Sequence, residues 1–183
     1  MKQTNKTMCK LAMALAISAG TLGPAMAAPA TPAAPVAGAP SAAQVQAVQG
    51  LMAAMQAEKM MRSTAGASRY ANEAQRLAVM DKLGKVPPAE IYQRLATPVA
   101  RFVSTDTALE MSKFYASSYG QKVLQQTYNS GPRMYAQEAP TPVGPEKAQL
   151  KAPALVKARQ EFAAAEPAIK HEAFVLLSAI IKK

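Results

Sequence analysis

The chain has no tryptophan, one cysteine, one histidine and few aromatic residues of any kind. Each shortage closes off a class of chemistry. The lone histidine, His171, has Glu172 beside it but no third group at catalytic or ligand spacing, so it reads as a surface residue. The 11 acidic residues are too few and too dispersed to nominate an acid/base pair. There is no glycine-rich loop to cradle a phosphate. No segment alternates with period two for long enough to make a strand, and no apolar run reaches the ~20 residues that span a bilayer. From these absences no enzyme activity, cofactor, metal site or nucleic-acid partner is expected.

What is present begins with an export signal. Lys2, Lys6 and Lys10 give a positive start, residues 11–19 form an apolar run, and Gly20, Gly23 and Pro24 break it. Ala25-Met26-Ala27 offers the small-x-small pattern that signal peptidase reads, so residues 1–27 are expected to be cut off after Ala27 and the protein to work in the periplasm. Cys9 precedes the apolar run instead of following it, which excludes a lipid-attachment site, and it leaves with the peptide. The mature chain then carries 18 basic against 11 acidic residues, a net charge of +7 that favours anionic contacts. No transmembrane segment is expected after cleavage.

Residues 28–40 hold only Ala, Pro, Thr, Val and Gly and read as a semi-rigid spacer. From residue 41 to residue 183 the period becomes helical. Ser41 caps a helix with Val45, Val48, Met52 and Met55 on one face, interrupted at Gly66. A second helix places Tyr70, Ala74, Leu77 and Ala78 on its stripe and closes at Gly84. Pro87-Pro88 opens a third, with Ile91 and Leu95 inward, and Thr97-Pro98 reads as the cap and first residue of a new short turn. Thr107 and Glu110 have capping-box spacing before a helix that buries Met111, Phe114 and Tyr115. Ser117 or Ser118 caps the next, which carries Gly120, Val123, Leu124, Thr127 and Tyr128 and stops at Asn129-Ser130-Gly131-Pro132. A proline-rich loop is expected over residues 131–145. A helix opening near Pro153 carries Leu155, Val156 and Phe162, and Pro167 is expected to start a last one with Ile169, Ala173, Leu176, Leu177 and Ile180 inward. The class predicted is all-α, a small antiparallel bundle of helical hairpins. Its core is thin, because Leu, Ile, Val and Phe number only 29 in residues 28–183 and alanine fills the space.

The most distinctive stretch is Phe114-Tyr115-x-Ser117-x-x-Gly120-x-Lys122. It resembles the signature of a family of exported Gram-negative proteins catalogued as domain of unknown function 2059, whose usual form is Phe-Tyr-x-Ser-Pro-x-Gly-x-Lys. The resemblance covers about residues 87–131, and Ser118 stands where the proline is usual. It implies a helical, periplasmic protein and assigns no reaction. Read physically, the motif is a packing device: a serine caps the following helix, Gly120 lets Phe114 and Tyr115 approach the backbone, and Lys122 reaches water. The competing reading makes Tyr115, Tyr119 and Lys122 an exposed binding patch. Phe162 and Lys170 repeat the aromatic-to-lysine spacing of Phe114 and Lys122, which suggests a second hairpin of the same design. Met52, Met55, Met60 and Met61 point in scattered directions on one helix and read as pliable core filler instead of a Cu(I) site. The function expected is binding or chaperoning of another envelope protein. A module for anionic envelope surfaces, such as lipopolysaccharide, lipid headgroups or cell-wall polymer, is the second reading.

Overall fold

The structure, a computed structural model, describes residues 38–129 and 140–182. The export signal at 1–27, the spacer up to residue 37 and most of the loop at 131–145 lie outside the described residues. Among the described residues the regular structure is helical, with eight helices and no strand: α1 Ala42–Ala54, α2 Ala57–Ala67, α3 Glu73–Gly84, α4 Pro88–Val99, α5 Thr105–Ala116, α6 Ser118–Asn129, α7 Pro145–Leu150 and α8 Pro153–Lys182. None is long and apolar enough to cross a membrane.

α1 packs chiefly on α4 and α5. Its start is capped by Ser41, whose hydroxyl accepts from the Gln44 N–H at 3.2 Å, and Val48, Leu51 and Met52 are fully buried where it packs on α4 and α5. Gln44 also serves the other side of that interface. Its Nε2 donates to the carbonyls of Ala100 at 2.7 Å and Val103 at 2.9 Å, groups that the end of α4 leaves without intrahelical partners. α8, roughly 45 Å long at ~1.5 Å per residue, is the spine against which α2, α3, α4, α5 and α7 lie. Leu155, Ala158, Phe162, Ala165, Ile169, Ala173, Leu176 and Ile180 form its buried stripe, spaced by threes and fours without a gap. The core is rich in alanine, as the composition predicted: Ala57, Ala65, Ala96, Ala100, Ala108, Ala158, Ala165 and Ala173 are all buried.

Several expected boundaries are corrected. α8 continues through Pro167, so no helix begins there and the predicted repeat of the α5–α6 hairpin is absent. An interior proline costs ~3 kcal/mol, but Pro167 is exposed while Ala165 and Ile169 on either side are buried, so continuing the stripe offsets the loss. Pro98 likewise stays inside α4, because Leu95, Ala96, Val99 and Ala100 are all fully buried in one register. The first predicted helix is not interrupted at Gly66, which lies within α2. It breaks at Gln56 instead, a left-handed residue at φ 56° and ψ 55° that swings α2 away from α1. The α3 stripe was misplaced: Leu77 is 55% exposed, and Val79 and Leu83 face the core. α7 begins at Pro145, the last residue of the expected loop, and covers residues 146–150, to which no element was assigned.

α5 also starts earlier than its predicted capping box. Ser104 is the cap, accepting from the Thr107 N–H at 3.3 Å, and Glu110 instead pairs with Lys113 at 2.7 Å. The reciprocal carboxylate comes from α8: Glu161 accepts from the Ser104 N–H and from the Thr107 hydroxyl, each at 2.7 Å. Burial pushes the Glu161 carboxyl up, but the bonds from Ser104 and Thr107, with Lys157 nearby, outweigh it and hold the group below the usual carboxylate range.

Candidate functional site

The α5–α6 corner shapes the site. Ser117 ends α5 and caps α6: its hydroxyl donates to the Phe114 carbonyl at 2.6 Å and accepts from the Gly120 N–H at 3.1 Å. That turn drives Gly120 onto the end of α5. A Cβ at Gly120 would lie 1.9 Å from the Phe114 carbonyl oxygen and 2.8 Å from the Tyr115 Cα, so only glycine permits the approach. The close corner gathers the aromatic rings. Phe114 meets Tyr115 edge-on at 5.1 Å and Tyr119 at 6.2 Å, and Tyr115 meets Phe162 of α8 at 6.1 Å.

Beside this cluster lies a cleft of about 1170 Å³ between α2, α5, α6 and α8. Met55 and α2 contribute Met60, Ser63, Thr64 and Ala67 to its wall, and α6 contributes Val123, Thr127 and Tyr128. Val156, Arg159, Ala163, Glu166, Lys170 and Phe174 of α8 form the opposite side. Most of the wall is apolar side chain, and three of its hydroxyls are turned to backbone carbonyls. Thr64 donates to the Met60 carbonyl at 3.0 Å, Tyr128 to Met55 at 2.9 Å and Tyr119 to Pro140 at 3.0 Å. Burial raises the Tyr128 pKa, and it pushes Tyr115 up to about 12 with help from Glu166, against the opposing pull of Arg159. Glu166 is paired with Lys170 at 2.6 Å.

Not all of the motif reaches the cleft. Phe114 and Tyr115 line it, Ser117 and Gly120 build the corner behind it, and Lys122 lies outside the lining, 3.5 Å from Glu146 of α7. Glu146 also accepts from the Val143 N–H and the Ser118 hydroxyl, which, with Lys122, hold its carboxyl below the usual range. The exposed-patch alternative fails at Tyr119, which is 8% exposed and held through its hydroxyl. The methionines divide: Met52 and Met61 are buried in the core, while Met55 and Met60 line the cleft. His171 is exposed on α8. Among the described residues no group of three His, Cys, Asp or Glu side chains converges to hold a metal ion.

The sequence reasoning missed the α2 and α8 walls. Arg159, Glu166, Lys170 and Phe174 lie on the face of α8 away from the core stripe, and only the folded chain brings that face beside Ser63 and Ala67. The chain matches no family model, no curated protein and no solved structure. The likeness of residues 114–122 to the Gram-negative family signature therefore stands on those residues alone.

Proposed function

We propose that this protein is exported through the peptide at residues 1–27, works in the periplasm, and binds or chaperones another cell-envelope protein without catalysing a reaction. The cleft is the observation that carries this reading. It is about 1170 Å³ and lined mostly by apolar and aromatic side chains, with the Thr64 and Tyr128 hydroxyls turned to backbone carbonyls, so it suits an apolar segment.

The charges favour a protein over a polyanion. Ion pairs join Arg76 to Glu73 on α3, Lys85 to Asp81 at its end, Arg94 to Glu90 on α4, Lys113 to Glu110 on α5 and Lys170 to Glu166 on α8. Cations scattered and paired in this way around an apolar cleft suit a protein partner, whereas a polyanion is met by one continuous basic face. The second reading, adsorption to anionic envelope surfaces, draws on Lys147, Lys151 and Lys157, all exposed between α7 and the start of α8.

Quantitative co-purification from envelope extracts tests the choice, using the wild-type chain and Ala163→Trp, which fills the cleft from an exposed position. A partner enriched on wild type and lost on the variant supports the reading; equal recovery on both refutes it. Substituting the three lysines with Gln leaves that recovery unchanged under the first reading. Under the second, it abolishes adsorption to anionic vesicles.

A further inference from the structure

Resting on the cleft as a protein-binding site, we infer that its occupant is an amphipathic helix of the partner, lying along α8 and presenting one carboxylate to Arg159 and Tyr115. Three observations lead there. The first is shape. Along α8 the lining runs from Val156 to Phe174, about 27 Å at ~1.5 Å per residue, and these two residues at its ends are exposed, 39% and 51%. Between them Ala163 on α8 and Ser63 and Ala67 on α2 are small enough for a backbone to come close.

The second is backbone chemistry. An extended segment laid on this wall would need partners for its own N–H and C=O groups. Among the described residues the walls are helices without a free strand edge, and the Thr64, Tyr119 and Tyr128 hydroxyls are already committed. A helix satisfies its backbone internally and needs only an apolar face, the helix-in-groove mode of recognition.

The third is charge. Glu166 and Lys170 cancel each other at 2.6 Å. Arg159 forms no ion pair with a carboxylate among the described residues, and it lines the cleft together with Tyr115. The half-buried Tyr115 hydroxyl has no hydrogen-bond partner among the described residues either. Burial keeps that phenol protonated at physiological pH, so it is a donor. A guanidinium and a phenol O–H on the walls of one cleft complement a carboxylate.

The test uses the processed protein purified from the periplasm and three fluorescent peptides of about 18 residues. All have leucine at helical i, i+3, i+4, i+7 spacing, and they differ only in a central Glu, Gln or Lys beside the apolar face. Anisotropy is expected to show the Glu peptide binding about tenfold tighter than the Gln peptide. Arg159→Glu, at an exposed position, is expected to keep the wild-type melting curve and reverse the preference to the Lys peptide. A proline placed mid-peptide is expected to remove binding. Equal affinity for the three peptides, no binding of any, an unchanged preference in Arg159→Glu, or binding of sodium palmitate in place of the peptides would each overturn the inference. A partner still lost on Ala163→Trp would then show that the cleft binds protein in another form, and recovery independent of Ala163→Trp would remove the underlying reading itself.

Discussion

Replacing Gly120 with alanine adds one methyl group, at the point where the α5–α6 corner is tightest. The new Cβ would lie 1.9 Å from the Phe114 carbonyl oxygen and 2.8 Å from both the Phe114 carbonyl carbon and the Tyr115 Cα. All three are backbone atoms, so no side chain can rotate away. To reach ordinary contact α6 must withdraw by more than 1 Å, which stretches the 3.1 Å cap from the Gly120 N–H to Ser117 and pulls Tyr119 off Phe114. Overpacking of this kind costs ~1–3 kcal/mol and a lost cap ~1 kcal/mol, while alanine recovers up to ~1 kcal/mol of helix propensity. With the full propensity gain the net loss expected is about 1–3 kcal/mol, a fall of roughly 2–12 °C in melting midpoint for a chain of this size. Gly50→Ala is the control: it lies inside α1 with nothing within 4 Å of an added Cβ. It should gain ~0.4–1 kcal/mol and melt slightly higher than wild type. Thermal unfolding followed by far-UV circular dichroism reads both. If Gly120→Ala melts at or above wild type, the close approach is not a constraint on this fold.

Glu161→Gln keeps the shape of the α8 clip on Ser104 and Thr107 but removes its charge. Because the folded pKa of Glu161 lies below the ordinary value, its contribution is present at neutral pH and is lost as pH falls through the folded value. Chemical denaturation should therefore find the variant less stable by ~1–2 kcal/mol at pH 7 and the two proteins converging below about pH 4; a constant gap across that range would contradict the assignment. Gln56→Gly and Gln56→Ala lose the same 3.0 Å bond to Gln121, so the difference between them isolates the left-handed turn. The glycine variant should be the more stable by ~1–2 kcal/mol. Pro167→Ala should raise the melting midpoint, gaining ~1–2 kcal/mol by restoring the hydrogen bond to the Ala163 carbonyl; a proline that opened a helix would give no such gain.

The helical class and much of the core were legible because burial repeats at the helical period: Val48, Met52, Ile91, Leu95, Leu124 and the stripe from Ile169 to Ile180 all face inward as their spacing implies. The errors trace to reading proline and glycine as local stops. At Pro98 and Pro167 tertiary burial outweighs the local cost, and at Pro167 the continuity was written in Ala158, Ala165 and Ala173, residues too small to stand out as a stripe. The break at Gln56 has no sequence mark at all. It is imposed from outside by Tyr128 on the Met55 carbonyl and Gln121 on the Gln56 side chain. The cap of α5 was misassigned for the same reason, since its carboxylate, Glu161, comes from another helix. The cleft was not legible: its α5 and α6 lining, including Phe114, Tyr115, Val123 and Tyr128, was read as packing. Its other walls exist because α2 and α8 meet, and no local pattern encodes that.

The central claim is that the cleft receives a protein segment in the envelope, and crosslinking inside cells tests it most directly. A photoreactive amino acid replaces Ser63 or Phe174, which line the cleft, or Leu109 on α5, which is 47% exposed and lies outside it. The prediction is one discrete envelope-protein adduct from Ser63 and Phe174, identified by mass spectrometry, and none from Leu109. Adducts of equal yield from all three positions, or none from the two in the cleft, would contradict it.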